Sequence, residues 1–179
     1  MSRTFALLVL FALAAPLLPA GAAEIPQGPW SFDVECSKIK PVSMKVGINK
    51  WHTWWYVVLD VANKTGEERA YNVIAKVATD TARRARPVMN PAVRKEIERQ
   101  EGTSLTNILV PGKLARGASL KAVLILDKVD RLADRIYIRL QGLASYLYKR
   151  GHKVYKEIRE YRVEMIRRGD EFHVHRNPV

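Results

Sequence analysis

Cysteine is nearly absent: Cys36 is the only one in 179 residues. No internal disulfide can form, so the fold must hold by packing and hydrogen bonds alone. Cys36 lies in phase with Phe32 and Val34, which favours a small buried apolar role over a bond to another chain. Acidic residues are also scarce. Eighteen Asp and Glu stand against 30 Lys and Arg, a formal charge of +12. That balance points to anionic partners: nucleic acid, lipid headgroups or acidic envelope polymers. Catalytic signatures are missing as well. Gly47, Gly66, Gly112 and Gly117 stand alone and make no phosphate-cradling loop. No serine sits in a nucleophile elbow, and Cys36 has no catalytic-thiol context. Beyond residue 23 no apolar run is long enough to cross a bilayer.

What is present begins with a leader. Arg3 precedes a nearly unbroken apolar run from Phe5 to Leu18. Pro16 and Pro19 break it, and Ala20-Gly21-Ala22 is a small-residue cleavage pattern. Residues 1–22 are therefore expected to be a signal peptide cut after Ala22, with an uncleaved anchor as the competing reading. Export to the periplasm or the medium follows, and it disfavours nucleic acid as a partner. Residues 23–30 are a lead-in rich in Pro and Gly, and 31–179 form one domain.

Most of that domain reads as β-strand. Apolar residues alternate over Ser31–Cys36, at Val42, Met44, Val46 and Ile48, at Val57, Leu59 and Val61, and at Tyr71, Val73, Ala75 and Val77. Asn63 and Gly66 suit a turn, so Val57–Val77 is expected to be a hairpin. Trp51-His52-Thr53-Trp54-Trp55 precedes it, either as an exposed aromatic platform or as a packed cap. Asp80–Pro87 reads as a basic loop. Asn90–Gly102 is a helix, with Asn90 as N-cap, Pro91 in the first position, Gly102 past the end, and Val93 and Ile97 facing inward. Leu105–Val110 is a short strand. Ser119–Asp127 is apolar on both faces, hence central and covered twice. Ile136, Ile138 and Leu140 alternate with Tyr137, Arg139 and Gln141. The tail admits two readings. Arg168-Gly169-Asp170 is turn chemistry, which makes 157–176 a hairpin. The spacing of Val154, Ile158, Tyr161 and Met165 also fits a helix over 154–161.

The run Val57-Val58-Leu59-Asp60-Val61-Ala62-Asn63-Lys64-Thr65-Gly66 matches the pattern V-x-L-x-V-x-N-x-[ST]-G. It resembles small bacterial exported immunoglobulin-like β-sandwiches of the FxLYD-like group. The resemblance implies a mainly β, antiparallel sandwich with an inserted helix. It implies a non-catalytic accessory or interaction module and brings no catalytic residues.

The leading functional expectation is an exported binding module without cofactor or small-molecule substrate. Its partner is an envelope protein, an anionic polymer or a membrane surface. The expected contact residues are Arg83, Arg84, Arg86, Arg94, Lys95 and Arg99, with Trp51 and Trp54. The alternative is a metal-dependent protein or enzyme centred on His173 and His175, with His152 as a further ligand.

Overall fold

A computed structural model describes residues 29–150 and 153–166. The elements in order are β1 (Trp30–Ser31), β2 (Asp33–Cys36), β3 (Lys40–Gly47), β4 (Lys50–Ala62), β5 (Arg69–Tyr71), β6 (Ile74–Thr79) and β7 (Arg84–Val88). Then come α1 (Pro91–Glu101), β8 (Thr106–Asn107), β9 (Gly112–Leu114), β10 (Ser119–Asp127), β11 (Arg135–Arg150) and β12 (Lys153–Ile166). Ten strands make one long sheet that curls into a near-closed barrel, while β5 and β9 pair separately. Pairing is antiparallel except for a two-residue parallel contact of β8 with β10.

One strand joins the two layers. The start of β7 pairs with β6, at Ala78↔Arg84 and Val77↔Ala85. Its end pairs with β10, from Asp127↔Arg86 to Ile125↔Val88. The first layer is therefore β12-β11-β6-β7, and the second is β7-β10-β4 with β2 and β3 along the far edge. Between β12 and the β2–β3 connection the barrel stays open. A cavity of ≈ 590 Å³ lies there, between Cys36–Ile39 and Val163–Ile166, and the Tyr161 hydroxyl crosses the seam to donate to the Phe32 carbonyl.

Period-two alternation sorts the core. Trp55, Val57, Leu59 and Val61 of β4 and Ala122, Leu124 and Leu126 of β10 meet Ile136, Ile138 and Leu140 of β11 between the layers. The opposite sides of β4 and β10 (Trp54, Tyr56, Val58, Val123, Ile125) lie under α1, against Val93 and Ile97. Double coverage explains why β10 is apolar on both faces. The helix has the expected ends: Asn90 Oδ1 accepts from the Ala92 and Val93 N–H groups, and Gly102 is left-handed at φ 64°. Glu101 fastens its last turn to the sheet, accepting from Tyr56 at 2.6 Å and Lys40 at 2.8 Å.

Several expectations are corrected. Val57–Val77 is not a hairpin: β4 pairs with β10, β2 and β3, while β6 pairs with β11 and β7 in the other layer. The turn at 63–66 carries the chain across the core instead of back along the same strand. Within 80–87 only the turn is a loop, because Arg84 and Arg86 already belong to β7. Leu105–Val110 keeps only two strand residues. Residues 154–161 are strand, not helix, since β12 pairs with β11 in antiparallel register down to Arg150↔Lys153. Lys153–Ile166 is strand; the turn expected at Arg168-Gly169-Asp170, and with it the second arm of the 157–176 hairpin, falls within residues 167–179, which lie outside the described residues. Cys36 is half-buried at the seam, with its thiol pKa pushed up by burial. Val46 and Ile48 are exposed beyond the covered part of β3.

Candidate functional site

The expected contact residues do not share one surface. Arg94, Lys95 and Arg99 lie on α1, above the second layer. Arg94 donates to the Leu105 carbonyl at 2.8 Å and pairs with Glu98 at 3.7 Å. Arg99 grips Glu96 with two hydrogen bonds, of 2.9 and 2.7 Å. That grip, helped by Gln100, holds the Glu96 carboxyl down at about 2. Lys95 is exposed. Arg83 faces Asp130 at 3.5 Å. Trp54 is buried under the helix and meets the His52 ring at a tilt of 58°, with ring centroids 4.2 Å apart. Trp51 is 67% exposed on the β3–β4 hairpin, well separated in the pairing from β6 and β7. The aromatic platform therefore reduces to Trp51 alone, because strand alternation turns Trp54 and Trp55 to opposite covered faces.

Arg84 and Arg86 are different. Both project from β7, in the first layer and at its join, and both are exposed. Their neighbours were not in the expected set. On β6 Lys76 lies directly opposite Arg139 of β11, and Arg139 lies directly opposite Arg162 of β12. Three cations thus stand in one row across three strands. Opposed residues on antiparallel strands have Cβ atoms about 4.5–5.5 Å apart, where like charges are destabilising. The next row reads Arg84, Ala78, Tyr137 and Glu164. Among the described residues, Lys76, Arg84, Arg86 and Arg139 form no ion pair, whereas Arg135 and Arg162 are tied to Glu164 at 3.0 Å and Glu160 at 3.4 Å. Two grooves run over this face, of ≈ 440 and ≈ 450 Å³, with Tyr137 and Arg139 as the ridge between them.

Lys76, Arg139 and Arg162 were missed for a simple reason. Each is the polar alternate in its own strand, and only the pairing of β6, β11 and β12 aligns them. The signal available in sequence was the alternation of Arg139 with Ile138 and Leu140; its partners were not readable.

Elsewhere, a more apolar cavity of ≈ 810 Å³ opens beside Trp30, Ile74 and Pro111 at the bulge in β11. Gly142 there has φ 92°, and an added Cβ would collide with the Asn72 carbonyl oxygen, so only glycine fits. His52 contacts Asp127 at 2.8 Å. Among the described residues no three His, Cys, Asp or Glu side chains gather as metal ligands would, and no helix is long and apolar enough to cross a membrane. His152, His173, His175 and the leader at 1–22 lie outside the described residues.

The chain matches no protein-family model, and comparison with curated proteins and with solved structures finds no significant match.

Proposed function

We propose that this is an exported, non-catalytic accessory module that binds an anionic polymer through the outer face of β6, β7, β11 and β12. The observation that carries the reading is the row Lys76–Arg139–Arg162 with Arg84 beside it. Folding gains nothing from lining up like charges, so the row favours an external anion that neutralises it. The helix cations Arg94 and Arg99 are spent on Glu98, Glu96 and the Leu105 carbonyl, leaving Lys95 alone, which argues against α1 as the main contact. The immunoglobulin-like assignment belongs to the same proposal. It rests on the pattern from Val57 to Gly66 and on the mainly antiparallel two-layer sheet.

Retention of the full chain on immobilised dextran sulfate tests the reading. Strong retention at low salt should fall steeply as the screening length shrinks from about 10 Å at 0.1 M to about 3 Å at 1 M. The double variant Lys76→Glu/Arg139→Glu should elute much earlier than Lys45→Glu/Lys95→Glu, which changes net charge equally on other surfaces. Equal elution of the two double variants would mean that total charge, and not this face, does the binding.

A further inference from the structure

Within the basic face, one place is shaped as well as charged. Ala78 of β6 lies directly opposite Arg84 of β7 on one side and Tyr137 of β11 on the other. Two residues back along β6, Lys76 lies opposite Arg139. A small side chain is thus framed by three cations and a phenol ring. The groove it floors is ≈ 440 Å³, and its lining includes Lys76, Ala78, Arg84, Tyr137 and Arg139 but no carboxylate. The companion groove over the same ridge does include one, Glu164. Two guanidinium groups and one ammonium offer many N–H donors to a single small anion. Guanidinium forks match the oxygen edges of phosphate and carboxylate, and a phosphate monoester brings near-double charge and three acceptor oxygens. Tyr137 is 37% exposed and offers a ring against which a carrier ring can lie.

We propose that the Ala78-floored groove between Arg84, Lys76, Arg139 and Tyr137 is a specific site for one phosphoryl or sulfuryl monoester group carried on a ring. This rests on the reading of the face as anion-binding and sharpens it: the face attracts polymer by charge, and the groove selects a terminal or pendant oxyanion by shape.

Titration calorimetry of the full chain with phenyl phosphate, phenyl sulfate, benzoate and benzyl alcohol separates the sources. The first or second should bind; benzoate should be weaker and benzyl alcohol should not bind. Ala78→Met fills the groove and leaves every charge in place. It should weaken monoester binding by roughly ten-fold or more, about 1.4 kcal/mol, while dextran sulfate retention stays at the wild-type value. Arg84→Gln, on an exposed position, should weaken the same ligand and serves if Ala78→Met does not fold. Monoester binding that survives both changes, or that never exceeds benzyl alcohol in the wild type, overturns the groove assignment. If wild-type polymer retention is present in that case, the reading of the face survives; if retention is absent as well, both fall.

Discussion

Asn63 should be the most expensive polar side chain to remove. It is fully buried, at the turn where the chain leaves β4. Its Nδ2 donates to the carbonyls of Glu67 and Leu114, both at 2.7 Å, and of Ala115 at 3.1 Å. Its Oδ1 accepts from the Thr65 N–H at 3.0 Å and the Thr65 hydroxyl at 2.7 Å. One amide therefore fastens the turn after β4 to the turn before β10. Asn63→Ala strands these groups. The Leu114 carbonyl is buried, and an orphaned buried group costs about 1–3 kcal/mol; the partly buried groups regain some water and cost less. The expected total is about 3–5 kcal/mol, a large share of the roughly 5–15 kcal/mol typical of a domain, or about 6–20 °C in Tm at this size. Urea unfolding followed by the fluorescence of buried Trp54 and Trp55 measures it. Asn63→Asp should be worse than Ala at neutral pH, because a carboxylate would face carbonyl acceptors. Such an acid has its folded pKa raised, so the extra penalty should shrink as pH falls through that raised value towards the ordinary carboxylate range, where both states are protonated alike. A loss under about 1 kcal/mol for Asn63→Ala would refute this account of the turn.

Two other expectations concern the helix side and the tryptophans. The Lys40 ammonium, and then the Tyr56 hydroxyl, hold the Glu101 carboxyl below its usual range. With a folded pKa below the unfolded one, its contribution is present at neutral pH and is lost as pH falls through the folded value. Glu101→Gln should therefore narrow its stability gap to wild type as pH falls from the ordinary carboxylate range through the lower folded value, read from urea midpoints at each pH; a gap independent of pH would rule the linkage out. Trp54→Ala removes a ring buried under α1 and should cost about 3–5 kcal/mol, whereas Trp51→Ala, on an exposed ring, should stay within about 0.5 kcal/mol. Similar losses for both in thermal melts would contradict the placement of the two rings.

Elements that carry their own signature in sequence were legible. Asn90, Pro91 and Gly102 mark α1 because caps act within a turn of the residue concerned. Ser119–Asp127 is read as doubly covered because both of its faces are apolar, and Ala122 to Leu126 are fully buried. Pairing was not legible, since it depends on residues far away. A turn at Lys64–Gly66 looks the same whether the chain returns along its own strand or crosses to another layer. What decides it is Asn63 reaching the carbonyls of Leu114 and Ala115, some fifty positions on. For β12 the spacing of Val154, Ile158, Tyr161 and Met165 satisfies both periods, and the long register with β11 settles it as strand. The candidate site suffered most from this. Arg84 and Arg86 were within reach as a basic cluster, but Lys76, Arg139 and Arg162 share no local pattern with them.

The structure divides the excess positive charge into two populations, and the division bears on function more than the total does. Arg94 and Arg99 have intrahelical carboxylates at i+4 or i−3 and so help α1 hold its shape. Arg83 and Arg135 each have an acid on a neighbouring segment, and Arg162 has Glu160 two residues back on its own strand. Lys76, Arg84, Arg86 and Arg139 form no ion pair among the described residues, although Arg86 lies opposite Asp127 and Arg139 feels Glu160; Lys76 and Arg139 oppose each other directly across the sheet, where like charges are destabilising. Glu160 already relieves the Arg162 end of the row Lys76–Arg139–Arg162, and a fold indifferent to ligands could relieve the rest with a single Glu in place of Lys76 opposite Arg139. Replacing Lys76 by Glu should therefore leave the sheet at least as stable while it weakens anion binding. That opposition between stability and affinity is what a surface kept for a partner produces, and a surface kept only for solubility does not produce it.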